Sequence, residues 1–147
     1  ILATAIRAGM TADDLAELEL AYAPPYGSAK DPVNMLGFVA QNVLEGTMPQ
    51  WQATDLYQAM ATSLVLDVRS PAEYDAGHLD GALNIPHLEL RARLDEVRTL
   101  ASGRPVSVHC ASGVRSYLAT RVLLAEGLDA RNLSGGWLTL QAVHPNL

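Results

Sequence analysis

Pro105-Val106-Ser107-Val108-His109-Cys110-Ala111-Ser112-Gly113-Val114-Arg115-Ser116 is the stretch on which the reading of this 147-residue chain turns. An apolar run ends at the only cysteine, and a short loop passes Gly113 to reach Arg115. A helical pattern follows, with Leu118, Val122 and Ala125 at i, i+4 and i+7 and Gly127 as a natural C-cap. The spacing predicts strand, tight loop, helix. Such a loop turns its backbone N–H groups, and the positive end of the helix dipole, toward the sulfur of Cys110. An anion site around a thiol stabilises the thiolate, its reactive form. A lone cysteine is more often a small, inert core residue. Gly113 and Arg115 are what argue for a reactive one here.

Loop length separates two chemistries. A Cys-x5-Arg loop wraps the peripheral oxygens of a phosphoryl group, as in cysteine phosphatases. Here the arginine comes one residue earlier, as Cys-x4-Arg. A shorter cradle suits a smaller anionic terminus, such as the outer sulfur of a persulfide. This loop, with Asp67-Val68-Arg69 and Gly77-His78 upstream and Gly135-Gly136-Trp137 downstream, resembles the rhodanese family of sulfurtransferases over roughly residues 50–147.

The totals exclude several classes. A net charge of −6 argues against a nucleic-acid surface. No apolar run approaches a membrane span, and no signal-peptide pattern opens the chain. One cysteine excludes an internal disulfide and any Cys-rich zinc site, and no other metal-ligand cluster stands out. A reducing compartment, the cytoplasm, is the simplest expectation.

Residues 1–48 read as a helical appendage. Ile1 to Ile6 is apolar and uncapped, like the inside of an element. Thr11 is an N-cap with Asp13 and Asp14 behind it, and Leu15 and Leu18 follow at helical spacing. Pro24-Pro25 is expected to stop that helix. Asp31-Pro32 opens a second, running to about Leu44 with Gly46 closing it. These short helices can hardly bury a core alone and should pack on something else.

Residues 49–147 alternate strand and helix signals. Trp51 to Thr54 reads as an edge strand, and Thr54-Asp55 as the cap of a short helix to Ala61. Ser63 to Val68 is a buried-strand run, and Ser70-Pro71-Ala72-Glu73 carries an N-cap, an N1 proline and a capping-box glutamate. Ala82 to Ile85 predicts a short strand, and Leu88 to Leu100 a helix with Leu90, Leu94 and Val97 on one face. Ala130 to Leu133 predicts the last strand. Gly135-Gly136 then starts a closing helix, with Trp137, Leu138 and Val143 expected against the core. This pattern means an α/β domain with a mainly parallel sheet of five strands flanked by helices, the rhodanese-like fold that the resemblance implies. Functional loops should lie at the carboxyl ends of the strands.

The other candidate residues take supporting roles. Asp67, at a strand end, is expected to hold loop amides or Arg69. Arg69 and Glu73, four apart near a helix start, are expected to pair with each other. His78 is structural support in the family and is not taken as a base. His109 points away from Cys110, because adjacent strand residues face opposite ways, and reads as a satisfied core histidine. His87 and His144 read as loop and surface residues. Ser116 is expected to cap the helix after the loop.

The string from Leu20 to Met35 resembles the end of the dimerisation domain of flavin-dependent pyridine nucleotide–disulfide reductases. Coenzyme A-disulfide reductases, related NADH oxidases and polysulfide reductases are the members meant, some of which carry a C-terminal rhodanese domain. In that family a tyrosine of this tail reaches toward the partner subunit's redox centre, and Tyr26 is the matching position, with Gly27 where a serine is expected. For this chain alone, Tyr26 is expected to pack beside Pro25. None of the eleven glycines are two apart, so there is no G-x-G-x-x-G fingerprint. The resemblance places FAD and NAD(P)H in domains preceding Ile1 of a homodimeric parent enzyme, with no cofactor in this chain.

The function implied is sulfur transfer by double displacement. Cys110 takes sulfane sulfur from a donor such as thiosulfate or polysulfide, and a thiol or other thiophile then takes it away. Arg115 anchors the anionic donor, and the amides of Ala111, Ser112, Gly113 and Val114 line the cradle. The competing reading is an idle rhodanese-fold docking or regulatory module.

Overall fold

The computed structural model describes residues 1–21, 23, 25, 26 and 31–147. The expectations placed on Pro24 and Gly27 therefore lie outside the described residues. The chain forms two compact units, residues 1–47 and 48–147.

The first unit holds α1 (Leu2–Ala8), α2 (Ala12–Glu17) and α3 (Pro32–Leu44). Thr11 and Asp14 cap α2 reciprocally. The helix ends at Glu17, well before the prolines expected to stop it. Its freed carbonyls are taken instead by a side chain: Asn34 Nδ2 donates to the carbonyls of Leu18 at 2.9 Å and Leu15 at 3.1 Å. Gly37 permits this approach, since a Cβ there would lie 2.5 Å from the backbone nitrogen of Ala16. Met35, Leu36, Val39, Val43 and Leu44 of α3 remain exposed. Tyr26 is 93% exposed, so packing beside Pro25 does not bury it.

The second unit is a sheet of five parallel strands: β1 (Gln50–Trp51), β2 (Leu64–Asp67), β3 (Leu83–Asn84), β4 (Val106–His109) and β5 (Ala130–Leu133). Their spatial order is β1-β5-β4-β2-β3. Every residue of β2 and β4 is buried, as expected for central parallel strands covered on both faces. The helices are α4 (Leu56–Thr62), α5 (Pro71–Asp75), α6 (Leu94–Ala101), α7 (Val114–Ala125) and α8 (Gly136–Val143).

Two apolar layers sandwich the sheet. One joins Leu64, Leu66, Val106 and Val108 to Val97 of α6, Leu123 of α7 and Cys110. The other joins Val65 and Leu133 to Trp51, Leu56, Trp137 and Leu140. The pleat decides this division, because alternate side chains of one strand enter opposite layers.

Several boundaries differ from the sequence reading. The edge strand stops at Trp51, and a 3-10 turn over Ala53–Asp55 leads into α4. Asp55 Oδ2 accepts the Gln52 amide in that turn at 3.0 Å. The helix expected from Leu88 is a 3-10 turn over Leu90–Arg93 followed by α6, with the break at Arg93 (φ −118°, ψ 20°). Leu90 and Val97 are buried as expected. In α7 two of the apolar triplet, Leu118 and Ala125, are exposed and Val122 packs half-buried against the core, while Ser116, Ala119, Thr120 and Leu123 are buried. Two small hydroxyl residues on the inner face hide the true face from an apolar count. In α8, Leu138 and Val143 are exposed, and Leu140 joins Trp137 in the core.

Candidate functional site

The site forms where β4 ends. Cys110 continues the face of Val106 and Val108, and the chain turns through Gly113 into α7. Gly113 is the N-cap of α7 at φ 113°, a conformation that favours glycine. The turn brings donors onto the sulfur: Gly113 N–H lies 3.2 Å from Cys110 Sγ and the Ser116 hydroxyl 3.3 Å away. Ser116 is thus not the cap of α7. It sits inside the first turn, fully buried, with Gly113 O also in reach at 3.1 Å.

Burial pushes the Cys110 thiol up. The Ser116 hydroxyl and the amides of Ser116, Gly113 and Ser112 outweigh it, so the net effect lowers the thiol below its ordinary value. The cause is the one the loop pattern implies, with a hydroxyl added. Of the expected cradle, the amides of Ser112 and Gly113 act on the sulfur, whereas those of Ala111 and Val114 are not among the groups that do: Ala111 turns its carbonyl to Leu138 N–H, and Val114 opens α7.

The Gly135-Gly136-Trp137 segment clamps this loop from outside. Trp137 N–H donates to Cys110 O at 2.7 Å and Leu138 N–H to Ala111 O at 3.1 Å. Gly136 sits at φ 63°, and a Cβ on it would lie 2.6 Å from Ala111 O and 2.7 Å from Cys110 O. Only glycine lets the start of α8 approach so closely. Sequence alone placed a helix start here without revealing the clamp.

Asp67 and Arg69 form a buried pair behind the loop. The Arg69 amide donates to Asp67 Oδ1 at 2.9 Å, and its guanidinium reaches Oδ2 at 2.6 Å. The same guanidinium donates to Gly77 O at 2.7 Å and lies 4.6 Å from the Trp137 ring centroid. Asp67 therefore holds Arg69, and Arg69 ties β2, the Gly77 turn and α8 together. His109 stacks on Trp137 on this side of the sheet, 5.9 Å between centroids. It is buried as expected, but among the described residues neither ring nitrogen has a hydrogen-bond partner. Asp67 Oδ2 is 3.7 Å from Nε2. Burial is the main force holding the imidazole down, to about 4. His78 is exposed, with Nδ1 2.9 Å from Tyr74 O and its ring stacked on Tyr74. His144 Nε2 lies 2.9 Å from Ala53 O.

The expected Arg69–Glu73 pair does not form. Asp67 already saturates Arg69 from two residues away, and Glu73 turns to Arg115 instead. Arg115 NH1 and NH2 donate to Glu73 Oε2 and Oε1, each at 2.7 Å. Glu73 Oε2 also accepts the Ser70 amide at 2.9 Å and the Ser70 hydroxyl at 3.0 Å, closing the capping box of α5. Four apart in sequence made Arg69 the obvious partner. The actual one is 42 residues away, and no local signal points to it.

Residues 52–142 match the rhodanese-like domain family. The chain belongs to that family. Among solved structures, reduced Bacillus anthracis CoADR-RHD, which contains the rhodanese domain of a CoA-disulfide reductase, is 41% identical with a TM-score of 0.88. That match covers 98% of this chain and 26% of that one. A NAD-dependent persulfide reductase from A. fulgidus is 41% identical with a TM-score of 0.78, covering 94% of this chain and 24% of that one. A sulfurtransferase of Allochromatium vinosum is 36% identical over 74 residues, 50% of this chain and 66% of that protein. The chain thus spans about a quarter of either solved chain. Among the described residues no group of three or more His, Cys, Asp or Glu could hold a metal ion. No helix among them is long and apolar enough to cross a membrane.

Proposed function

We propose that this rhodanese-like chain is a sulfurtransferase that carries sulfane sulfur on Cys110. The observation that carries the reading is the pair of donors on a buried sulfur: Gly113 N–H at 3.2 Å and Ser116 Oγ at 3.3 Å. A thiolate so held attacks the outer sulfur of thiosulfate. The Cys–S–S bond forms, the S–S bond of the donor breaks, and its electron pair leaves on sulfite. The outer sulfur of the resulting Cys110 persulfide then passes to a thiolate, which regenerates the Cys110 thiolate. The same donors receive the charge in both steps, whether it rests on the thiolate or on the persulfide's terminal sulfur. Arg115 lies at the mouth and steers the anionic donor.

Residues 1–48 belong, on this proposal, to the dimerisation domain of a longer homodimeric CoA-disulfide or polysulfide reductase of the cytoplasm. Two observations support it: the exposed apolar side chains of α3 and the match to CoADR-RHD over 98% of this chain. FAD and NAD(P)H would sit in the parent's other domains, which would reduce the persulfide or its acceptor. The site in this chain takes only the sulfur donor and a thiophilic acceptor.

Mass spectrometry after incubation with thiosulfate or polysulfide tests the reading. A gain of one sulfur, confined to Cys110 and lost in Cys110→Ser, is expected. No gain from either donor would leave the idle docking module as the better account.

A further inference from the structure

We propose that Glu73 is a selectivity residue of this site: held across the outer nitrogens of Arg115, it keeps small dianions from the Cys110 loop and favours donors that bring less charge. The inference rests on the sulfurtransferase reading. Its structural basis is the two-bonded pair itself, Arg115 NH1 and NH2 each 2.7 Å from a Glu73 oxygen. A guanidinium offers its best anion-binding edge through two parallel N–H groups, and here a carboxylate of the same chain already occupies them.

The carboxylate is not free to swing aside. Its Oε2 also receives the amide and the hydroxyl of Ser70, so the cap of α5 fixes it in place. The pair is half-buried, with side chains 30% and 37% exposed, so its charges are screened less than at an open surface. Hydrogen bonding from Arg115, then from the Ser70 amide, holds Glu73 down to about 2, so it stays ionised wherever the protein works.

An incoming anion has two options. It displaces the carboxylate from Arg115, leaving that charge without its partner, or it settles beside it. The repulsion between the anion and the Glu73 carboxylate, present in either case, grows with the charge of the anion. Thiosulfate, a dianion that leaves as sulfite, pays more than an alkanethiosulfonate, a monoanion that delivers the same sulfane sulfur and leaves as a sulfinate.

Two measurements on the Glu73→Gln chain test this. The first is protection of Cys110 from iodoacetamide by sulfate, which needs no turnover. The sulfate concentration giving half-protection should fall about tenfold in Glu73→Gln. The second is kcat/KM for thiosulfate relative to methanethiosulfonate, with cyanide as acceptor. That ratio should rise about tenfold, through KM and not kcat. Ser70→Ala removes only the hydroxyl from Glu73 and keeps the Ser70 amide bond and the Arg115 pair, so it should move both readouts in the same direction but by much less. Unchanged protection and an unchanged ratio in Glu73→Gln would overturn the proposal, as would equal changes in Ser70→Ala. If Cys110 accepts no sulfur from any donor, the sulfurtransferase reading fails, and the sulfate measurement still decides whether Glu73 guards the loop.

Discussion

The Ser116 hydroxyl points at the sulfur of Cys110 across 3.3 Å from a fully buried position inside the first turn of α7. Loop amides are fixed by the backbone, whereas this donor depends on one side chain and is open to mutation. A hydrogen bond to a charged group is worth about 1.5–3 kcal/mol, and one pH unit corresponds to about 1.4 kcal/mol. Ser116→Ala should therefore raise the pH midpoint of iodoacetamide labelling by about one to two units. An unmoved midpoint would mean that the amides alone stabilise the thiolate.

Arg115 and Glu73 should behave as a coupled pair. Arg115→Ala removes the donor's anchor and also leaves the Glu73 carboxylate unpaired at the mouth. KM for thiosulfate should rise at least about tenfold, while the labelling midpoint of Cys110 rises by less than in Ser116→Ala, since Arg115 reaches the sulfur but is not among its main stabilising donors. Adding Glu73→Gln should recover part of that loss, with a coupling of about 1 kcal/mol or more. Strict additivity in the double-mutant cycle would show that the pair has no influence on the donor. Arg115→Lys keeps charge without the fork and should rescue only partly.

Gly136→Ala should damage fold and site together. The new methyl would meet the backbone of Cys110 and Ala111, which cannot yield as a side chain can, and φ 63° is strained for alanine. A loss of about 2 kcal/mol or more in urea unfolding is expected, with sulfur transfer falling more than about tenfold. Gly81→Ala, also at positive φ but with open space around it, is the comparison. It should cost less stability and leave transfer intact. Equal effects of the two would remove the clamp from the explanation.

His109 predicts how stability follows pH. Its imidazole is held down to about 4 in the fold against an ordinary 6.5. The unfolded chain binds the extra proton first as pH falls, so stability drops progressively from about pH 6.5 toward pH 4 and then levels. The loss between pH 7.5 and 4.5 should be about 2–3 kcal/mol. His109→Gln should flatten the slope of urea midpoint against pH across this window. Glu73 acts lower: its depressed carboxyl loses its contribution only as pH falls through about 4.5 to 2. A slope unchanged in His109→Gln would show that another group binds the proton.

Short-range order was legible along the chain. The N-cap at Thr11, the capping box at Ser70, the proline starts at Pro32 and Pro71, and strand β5 all follow from signals within four residues of the feature they describe. The Cys110 loop belongs with them, because a strand end, one glycine at φ 113° and a helix start suffice to turn N–H groups onto a sulfur. So does the placement of His109 behind the sheet, which needs only the alternation of a strand.

What the chain could not disclose locally is which distant group completes each contact. Glu73 has two cations within reach of a sequence argument, and only the folded arrangement, with Asp67 closed on Arg69, sends it to Arg115. Leu118 and Val122 announce α7, yet Ser116 and Thr120 face the sheet, because small buried hydroxyls are invisible to an apolar count. The close fit of Gly136 on Cys110 appears only once α8 is laid against the loop, since a glycine records the space it leaves and not the neighbour that fills it. Local pattern determined the elements and the placing of Cys110 at the head of its loop. Tertiary packing decided what stands around it, because those partners are separated by up to 42 residues and meet only through the parallel sheet.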